Sequence, residues 1–343
     1  MIAPGARYFL TGATGFLGGV LARQLAAAGH HVTALVRDPA KATALFSTAQ
    51  QPAPASAAGI TFVKGDITDK ESMRAPMTGV DGVFHCAAWY KVGVSAEETA
   101  TAERTNVGGT RNVLELMREL QIPKGVYTST VAIFSDTEGR EPDESYHHAG
   151  PFLSEYDRTK WRAHYEVALP MVREGLPLVI LQPGVIYGPG DTSGVRAAFV
   201  QYLQGKLAGI PAKTAFSWAH VDDVAHVHIL AMEKGRTGES YIVAGPSHTM
   251  TEAFEMAREI TGIAPPSFHP SPGLLKVAST IMGVVGAVIP LSGQLSAESL
   301  RVLAGVTYLG SNAKARRELG YAPRPLKDGL RETLAHEMRL LGM

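Results

Sequence analysis

A glycine-rich turn, Thr11-Gly12-Ala13-Thr14-Gly15-Phe16-Leu17-Gly18, joins an apolar run, Tyr8-Phe9-Leu10, to an alanine-rich segment with Val20, Leu21 and Leu25 on one helical face. A second apolar run, Val32 to Val36, follows. This order predicts strand, turn, helix and strand, and it restricts the fold more than any other stretch. The glycines are spaced G-x-x-G-x-x-G, one residue longer than the usual dinucleotide fingerprint. A Cβ in such a turn would keep a pyrophosphate from the N–H groups at the helix N-terminus. On this reading Gly12 turns the chain, Gly15 admits the phosphates and Gly18 lets the helix pack, with Thr14, Phe16 and Leu17 completing the turn. A turn that merely joins strand to helix is the simpler alternative, and the flanking strands and helix weigh against it.

The end of the second strand bears on which dinucleotide is bound. An acidic residue about 20 positions past the glycines would bind the ribose 2′-hydroxyl of NAD. Val36 stands there and Arg37 follows. No carboxylate repels a 2′-phosphate, and a guanidinium can pair with one. NADP(H) is therefore expected over NAD(H), although Asp38 tempers the inference and Arg37 could be one solvated charge among many.

The 343 residues suit two domains or one elaborated domain, and with 45% hydrophobic residues and zero net charge they can bury a full core. No charge excess points to nucleic acid. The single cysteine, Cys86, excludes a disulfide framework and a cysteine zinc site. With no signal-peptide pattern before Tyr8, a cytoplasmic protein is expected. Leu274 to Leu291 is nearly all apolar, interrupted by Lys276 and Pro290, so its uninterrupted run falls short of the roughly 20 residues that span a bilayer. The first reading is a buried helix, the second an interfacial helix over 274–291.

Further along, Ala40 to Phe46 reads as a helix followed by a surface linker up to Gly59. The third strand ends at Asp66 and Ile67; Asp66 suits an adenine amino group or the N-cap of the helix running through Met77. The fourth ends in small residues, Ala87 and Ala88, across which a cofactor can lie. Trp89, Tyr90 and Lys91 follow as a substrate wall or as ordinary loop packing. Asn106 is a cap or a buried polar group holding a water. A strand from Val126 runs into the hydroxyls Thr128, Ser129 and Thr130. Tyr156 and Lys160, four apart, share a helix face, where a nearby ammonium would lower the phenol pKa from about 10. His220, Asp222 and Asp223 could mimic metal ligands, but a helix cap at Asp222 or Asp223 is the better reading, and no metal is expected.

Taken in order, the glycine turn, Asp66-Ile67, His85-Cys86-Ala87-Ala88, Asn106-Val107-Gly108-Gly109-Thr110, Thr128-Ser129-Thr130, Tyr156-x-x-x-Lys160, Pro183-Gly184-Val185-Ile186-Tyr187-Gly188 and His220 to Ala225 resemble the extended short-chain dehydrogenase/reductase superfamily. Leu35 to Pro39 resembles its dihydroflavonol-reductase and hydroxysteroid-dehydrogenase-like branch. The resemblance implies a doubly wound, Rossmann-type α/β sheet with a smaller, mainly helical C-terminal substrate domain. The expected division is residues 1–188 with about 221–245 for the dinucleotide, and about 189–220 with 246–343 for the substrate. It also implies Tyr156 as general acid/base, Lys160 on the ribose hydroxyls, Thr130 or Ser129 on the substrate carbonyl, Asn106 in the catalytic set, and Pro183, Gly184, Val185 and Ile186 beside the cofactor. The expected enzyme is an oxidoreductase interconverting a carbonyl and an alcohol on a small apolar or aromatic substrate. A homodimer would pair helices 106–120 and 156–169. A nucleotide-sugar epimerase with tightly held NAD is the rival, opposed by Val36-Arg37 and by Gln182-Pro183; a 4,6-dehydratase fits less well, since Val131-Ala132 follows Thr130. A cofactor-sensing scaffold without catalysis is the third reading.

Overall fold

The computed structural model describes residues 5–47, 59–286 and 296–343. Its main sheet has seven parallel strands: β1 (Arg7–Thr11), β2 (His31–Val36), β3 (Ile60–Lys64), β4 (Gly82–His85), β5 (Gly125–Thr128), β6 (Leu178–Pro183) and, later in the chain, Ser240–Val243. The order is β3-β2-β1-β4-β5-β6 with Ser240–Val243 at the far edge. Alternation along β1 shows why helices cover both faces. Tyr8 and Leu10 join Leu17, Leu21, Val224 and Val227 in one core, while Phe9 joins Val113, Leu114, Val167 and Met171 in the other. Successive side chains on a strand point oppositely, so a parallel sheet with two apolar faces needs helices on each. The doubly wound fold is as the resemblance implied.

The sequence reading did not anticipate a second sheet. Val185–Tyr187 (β7) runs parallel to Ala215–His220 (β8), which also pairs with Ser247–Thr249 and Thr307–Tyr308. Val185–Tyr187, placed on the dinucleotide side of the expected boundary, therefore belongs to this smaller sheet. Trp218, Phe199, Phe254, Tyr202 and Leu330 form its core with the flanking helices.

Several local expectations change. The helix Pro39–Ser47 forms, but the linker at 48–58 lies outside the described residues, as does 287–295. The cap of helix Lys70–Met77 is Asp69, whose carboxylate accepts from Ser72 N, whereas Asp66 accepts from the Thr68 N–H and hydroxyl at 2.8 Å. The cap of helix Val221–Lys234 is His220, which accepts from Asp222 N, not Asp222 or Asp223. The apolar segment forms a helix over Pro272–Gly286, but Leu274, Val277 and Ile281 stand exposed, so the buried-helix reading fails for the described part.

Candidate active site

The carboxyl ends of β1, β4 and β5 meet beside the glycine turn. Gly12 has φ +85°, and a Cβ there would lie 2.7 Å from the Ala87 nitrogen, so a glycine both makes the left-handed turn and lets two strand ends touch. A Cβ on Gly18 would lie 2.2 Å from the Gly12 carbonyl oxygen, so the helix packs on the turn itself. Gly15 caps helix Phe16–Ala27 with no side-chain bond, and no acidic residue occupies the first turn. Thr14 and Gly15 are exposed, Phe16 is half-buried and Leu17 is packed beneath. Unpaired N–H groups at the positive end of a helix suit an anion.

At the end of β2, Val36 is buried and Arg37 exposed, with no carboxylate partner for Arg37 among the described residues. Asp38 instead accepts from Lys41 N at 3.1 Å, at the start of its own helix. These features fit a phosphate-bearing dinucleotide: an open helix end, a turn without side chains and a free guanidinium. Ile67 is packed below, in space that a Cβ on Gly109 would fill, and its carbonyl accepts from Asn112. Pro183 ends β6, Gly184 sits where a Cβ would be 2.1 Å from the Ser217 carbonyl oxygen, and Val185 and Ile186 pair with Trp218 and Ala219. That stretch is thus the crossing from one sheet to the other.

Beyond β5 the hydroxyls find different surroundings. Ser129 Oγ is 2.9 Å from His164 Nδ1 in the interior, whereas Thr130 accepts from Ala132 N and lies near enough to the Tyr156 phenol to ease its ionisation. Tyr156 and Lys160 share helix Glu155–Arg162. The expected lowering of the phenol pKa does not come from the chain's own groups. Burial raises it well above its ordinary value, Tyr90, Tyr127 and Asp157 add to the rise, and the nearby Thr130 hydroxyl opposes it. Lys160 Nζ donates to the Tyr127 hydroxyl at 3.1 Å and the Thr128 carbonyl at 2.8 Å, and its cation lies over the Tyr127 ring. Burial brings the Lys160 pKa down to about 7. A cation this weakly held exerts little pull on a neighbouring phenol.

Asn106 lies inside a widened helical stretch, Glu103–Gly109, not at a helix start. Its carbonyl oxygen accepts from Trp89 N at 2.7 Å, and its NH2 donates to the Trp89 carbonyl and Thr159 Oγ1 at 3.0 Å. Both NH2 hydrogens have protein partners, so Asn106 ties the loop after β4 to the Tyr156 helix. In that loop, exposed Ala88 precedes Trp89, Lys91 ion-pairs with Glu98, and Tyr90 stands edge-on to Tyr156 at 4.8 Å between ring centres. Tyr90 is 55% exposed.

Four residues escaped the sequence reading: Asp157, Glu298, Tyr127 and Tyr308. Asp157 is buried, accepts from Ser154 Oγ and from Tyr308 OH at 2.9 Å, and has its pKa raised to about 7 by burial. Glu298 accepts from Gly93 N, Val94 N and Glu155 N, holding the loop and the Tyr156 helix together. Tyr127 carries Lys160. Of these, Tyr127 and Asp157 adjoin recognised motifs and could have been flagged; Glu298 and Tyr308 come from far along the chain with no local signal. Away from this site, His220, Asp222 and Glu332 approach one another within 4.8 Å, while Asp223 binds Arg324 at 2.8–3.1 Å and the same guanidinium reaches Glu332.

Residues 8–244 match the NAD dependent epimerase/dehydratase family. The chain is 30% identical to "Sterol demethylase protein B" of Methylococcus capsulatus, covering 95% of this chain and 96% of that protein. It is 29% identical to a "Putative dihydroflavonol 4-reductase" of Synechocystis sp., covering 95% and 93% respectively. The solved structure of gox2253 superposes with a TM-score of 0.82 at 28% identity, covering 98% of this chain and 99% of that one. Sequence, fold and glycine turn agree: the chain belongs to the NAD dependent epimerase/dehydratase family, within the extended short-chain dehydrogenase/reductase superfamily of nicotinamide-dependent enzymes.

Proposed function

We propose that this enzyme is an NADP(H)-dependent oxidoreductase that interconverts a carbonyl and an alcohol on a small apolar or aromatic substrate. The observation that carries the reading is Tyr156: a phenol beside Thr130, faced by Tyr90, on the same helix as a buried lysine. Gly12, Thr14, Gly15 and Gly18 would receive the pyrophosphate, Arg37 the 2′-phosphate, and Ala87 and Ala88 would flank the dinucleotide. When bound, a nicotinamide supplies or accepts the hydride. The chain's own residues handle the oxygen. Thr130 Oγ1 orients the carbonyl oxygen, and Tyr156 passes its phenolic proton to that oxygen as the carbon is reduced. A phenol whose pKa is raised stays protonated at neutral pH but is the weaker acid for it, so the proton passes only as the alkoxide forms. The reductase name of a full-length relative supports this direction.

The test is a thermal shift with NADP, NADPH, NAD and NADH, followed by a panel of carbonyl compounds monitored by reduced-cofactor absorbance. Tyr156→Phe should retain cofactor binding and lose turnover by about a thousandfold; unchanged turnover would refute the mechanism. Arg37→Ser should weaken NADP(H) binding about tenfold and leave NAD(H) alone. If a nucleotide sugar raises the melting temperature more than lipophilic ketones do, the epimerase reading replaces this one. A homodimer through helices 106–120 and 156–169 belongs to the same reading, and light scattering checks it.

A further inference from the structure

Of the eight large hydrophobic side chains exposed among the described residues, four lie between 268 and 281: Phe268, Leu274, Val277 and Ile281. The last three, at intervals of three and four along helix Pro272–Gly286, form one stripe. The opposite face is anchored: Leu275 and Ser279 are buried, and Ser279 Oγ donates to the Ala297 carbonyl. The outward apolar face is therefore not a frayed segment but the free side of a packed helix.

Charge identifies what covers it. No Asp or Glu occurs from 260 to 297, nor from 192 to 221. The two acid-free stretches lie side by side, because Ile210 N donates to the Phe268 carbonyl and Ala212 N to the Pro270 carbonyl. Lys206, Lys213 and Lys276 are exposed on them and have no carboxylate partner among the described residues. Several cations elsewhere, such as Lys70 with Glu115 and Arg158 with Glu155, are paired. An apolar stripe beside exposed lysines, on two stretches that contain no carboxylate of their own, complements an anionic lipid surface.

We propose that the face formed by Phe268, Leu274, Val277 and Ile281, with Lys206, Lys213 and Lys276, docks this enzyme on anionic bilayers without spanning them. No helix among the described residues is long and apolar enough to cross a membrane. The helix is one step from the active site, since Ala297, which holds Ser279, adjoins Glu298, and Glu298 binds the loop of Tyr90 and the Tyr156 helix. Docking would bring that site close to the lipid surface.

The test is flotation of the full chain with phosphatidylcholine vesicles and with vesicles holding about a third phosphatidylglycerol. Binding should favour the anionic vesicles and weaken with salt. Lys276→Gln should lower partitioning about fivefold, the value of one lysine near such a surface. Val277→Glu with Ile281→Glu should abolish it, with the circular-dichroism melt unchanged because both side chains are exposed. Absence of flotation, flotation equal on neutral vesicles, or flotation unaffected by the double substitution would overturn the proposal. So would a wild-type dimer that the double substitution makes monomeric, since a second copy would then cover the stripe. None of these readings needs turnover, so they stand apart from the chemistry at Tyr156.

Discussion

Lys160 and Asp157 are neighbours in sequence whose burial gives stability opposite slopes with pH. The Lys160 pKa is lowered to about 7, against about 10.4 for an unperturbed lysine. Between those values the unfolded chain binds the extra proton, so stability rises with pH from about 7 upward, and the cost of charging is fully present below 7. Asp157 has its pKa raised to about 7, so the folded chain keeps a proton that the unfolded chain releases. Its contribution is present below about 4 and is lost as pH rises through 7. Denaturant melts of the protein without cofactor should show both slopes. Lys160→Met should flatten the alkaline one, and Asp157→Asn the acidic one, each by roughly a few kcal/mol across its window. A slope unchanged in the matching variant would reject the assignment.

At the scale of elements, the site depends on how the loop after β4 meets the Tyr156 helix. Glu298 supplies one carboxylate oxygen to Glu155 N and the other to Gly93 N and Val94 N. Glu298→Ala leaves three N–H groups without that acceptor and should cost about 1–3 kcal/mol. Because the change falls on Tyr90 and Tyr156 and not on the glycine turn, kcat should drop while cofactor affinity, measured by titration, holds. The turn tolerates less. Gly12→Ala combines a left-handed φ with a 2.7 Å approach to Ala87 N, and a loss of about 2–4 kcal/mol in a urea melt is expected together with weaker dinucleotide binding.

Across the whole molecule, ion pairs join the C-terminal helix, Leu326–Leu340, to the rest. Glu337 is buried and receives both Arg196 bonds at 2.8–2.9 Å. Arg324, just before that helix, clasps Asp223 in the first turn of Val221–Lys234, a helix packed on Phe16–Ala27 of the glycine-turn unit. Arg196→Met strands a buried carboxylate and should cost about 3 kcal/mol; adding Glu337→Leu should restore most of it. A double variant no more stable than the single one would show that the pair contributes more than compensation for its own burial.

The dinucleotide half was legible from the residues because its information is local. Tyr8 to Gly18 set a strand, a turn and a helix end within a dozen residues, and the four-residue spacing of Tyr156 and Lys160 sets a shared helix face. The surroundings of Ser129 and Thr130 were not local, for Ser129 meets His164 across the fold while Thr130 lies beside Tyr156. The second sheet was equally hidden, since β7 is three residues long and pairs with a strand some thirty positions away. Nor could sequence place Glu298 or Tyr308 at the site, or turn the apolar face of Pro272–Gly286 outward. Local sequence dictated the turn and the spacing of the proton donor; only tertiary packing, by setting burial and distant partners, decided the phenol's pKa, its hydroxyl neighbour and which apolar face stays exposed.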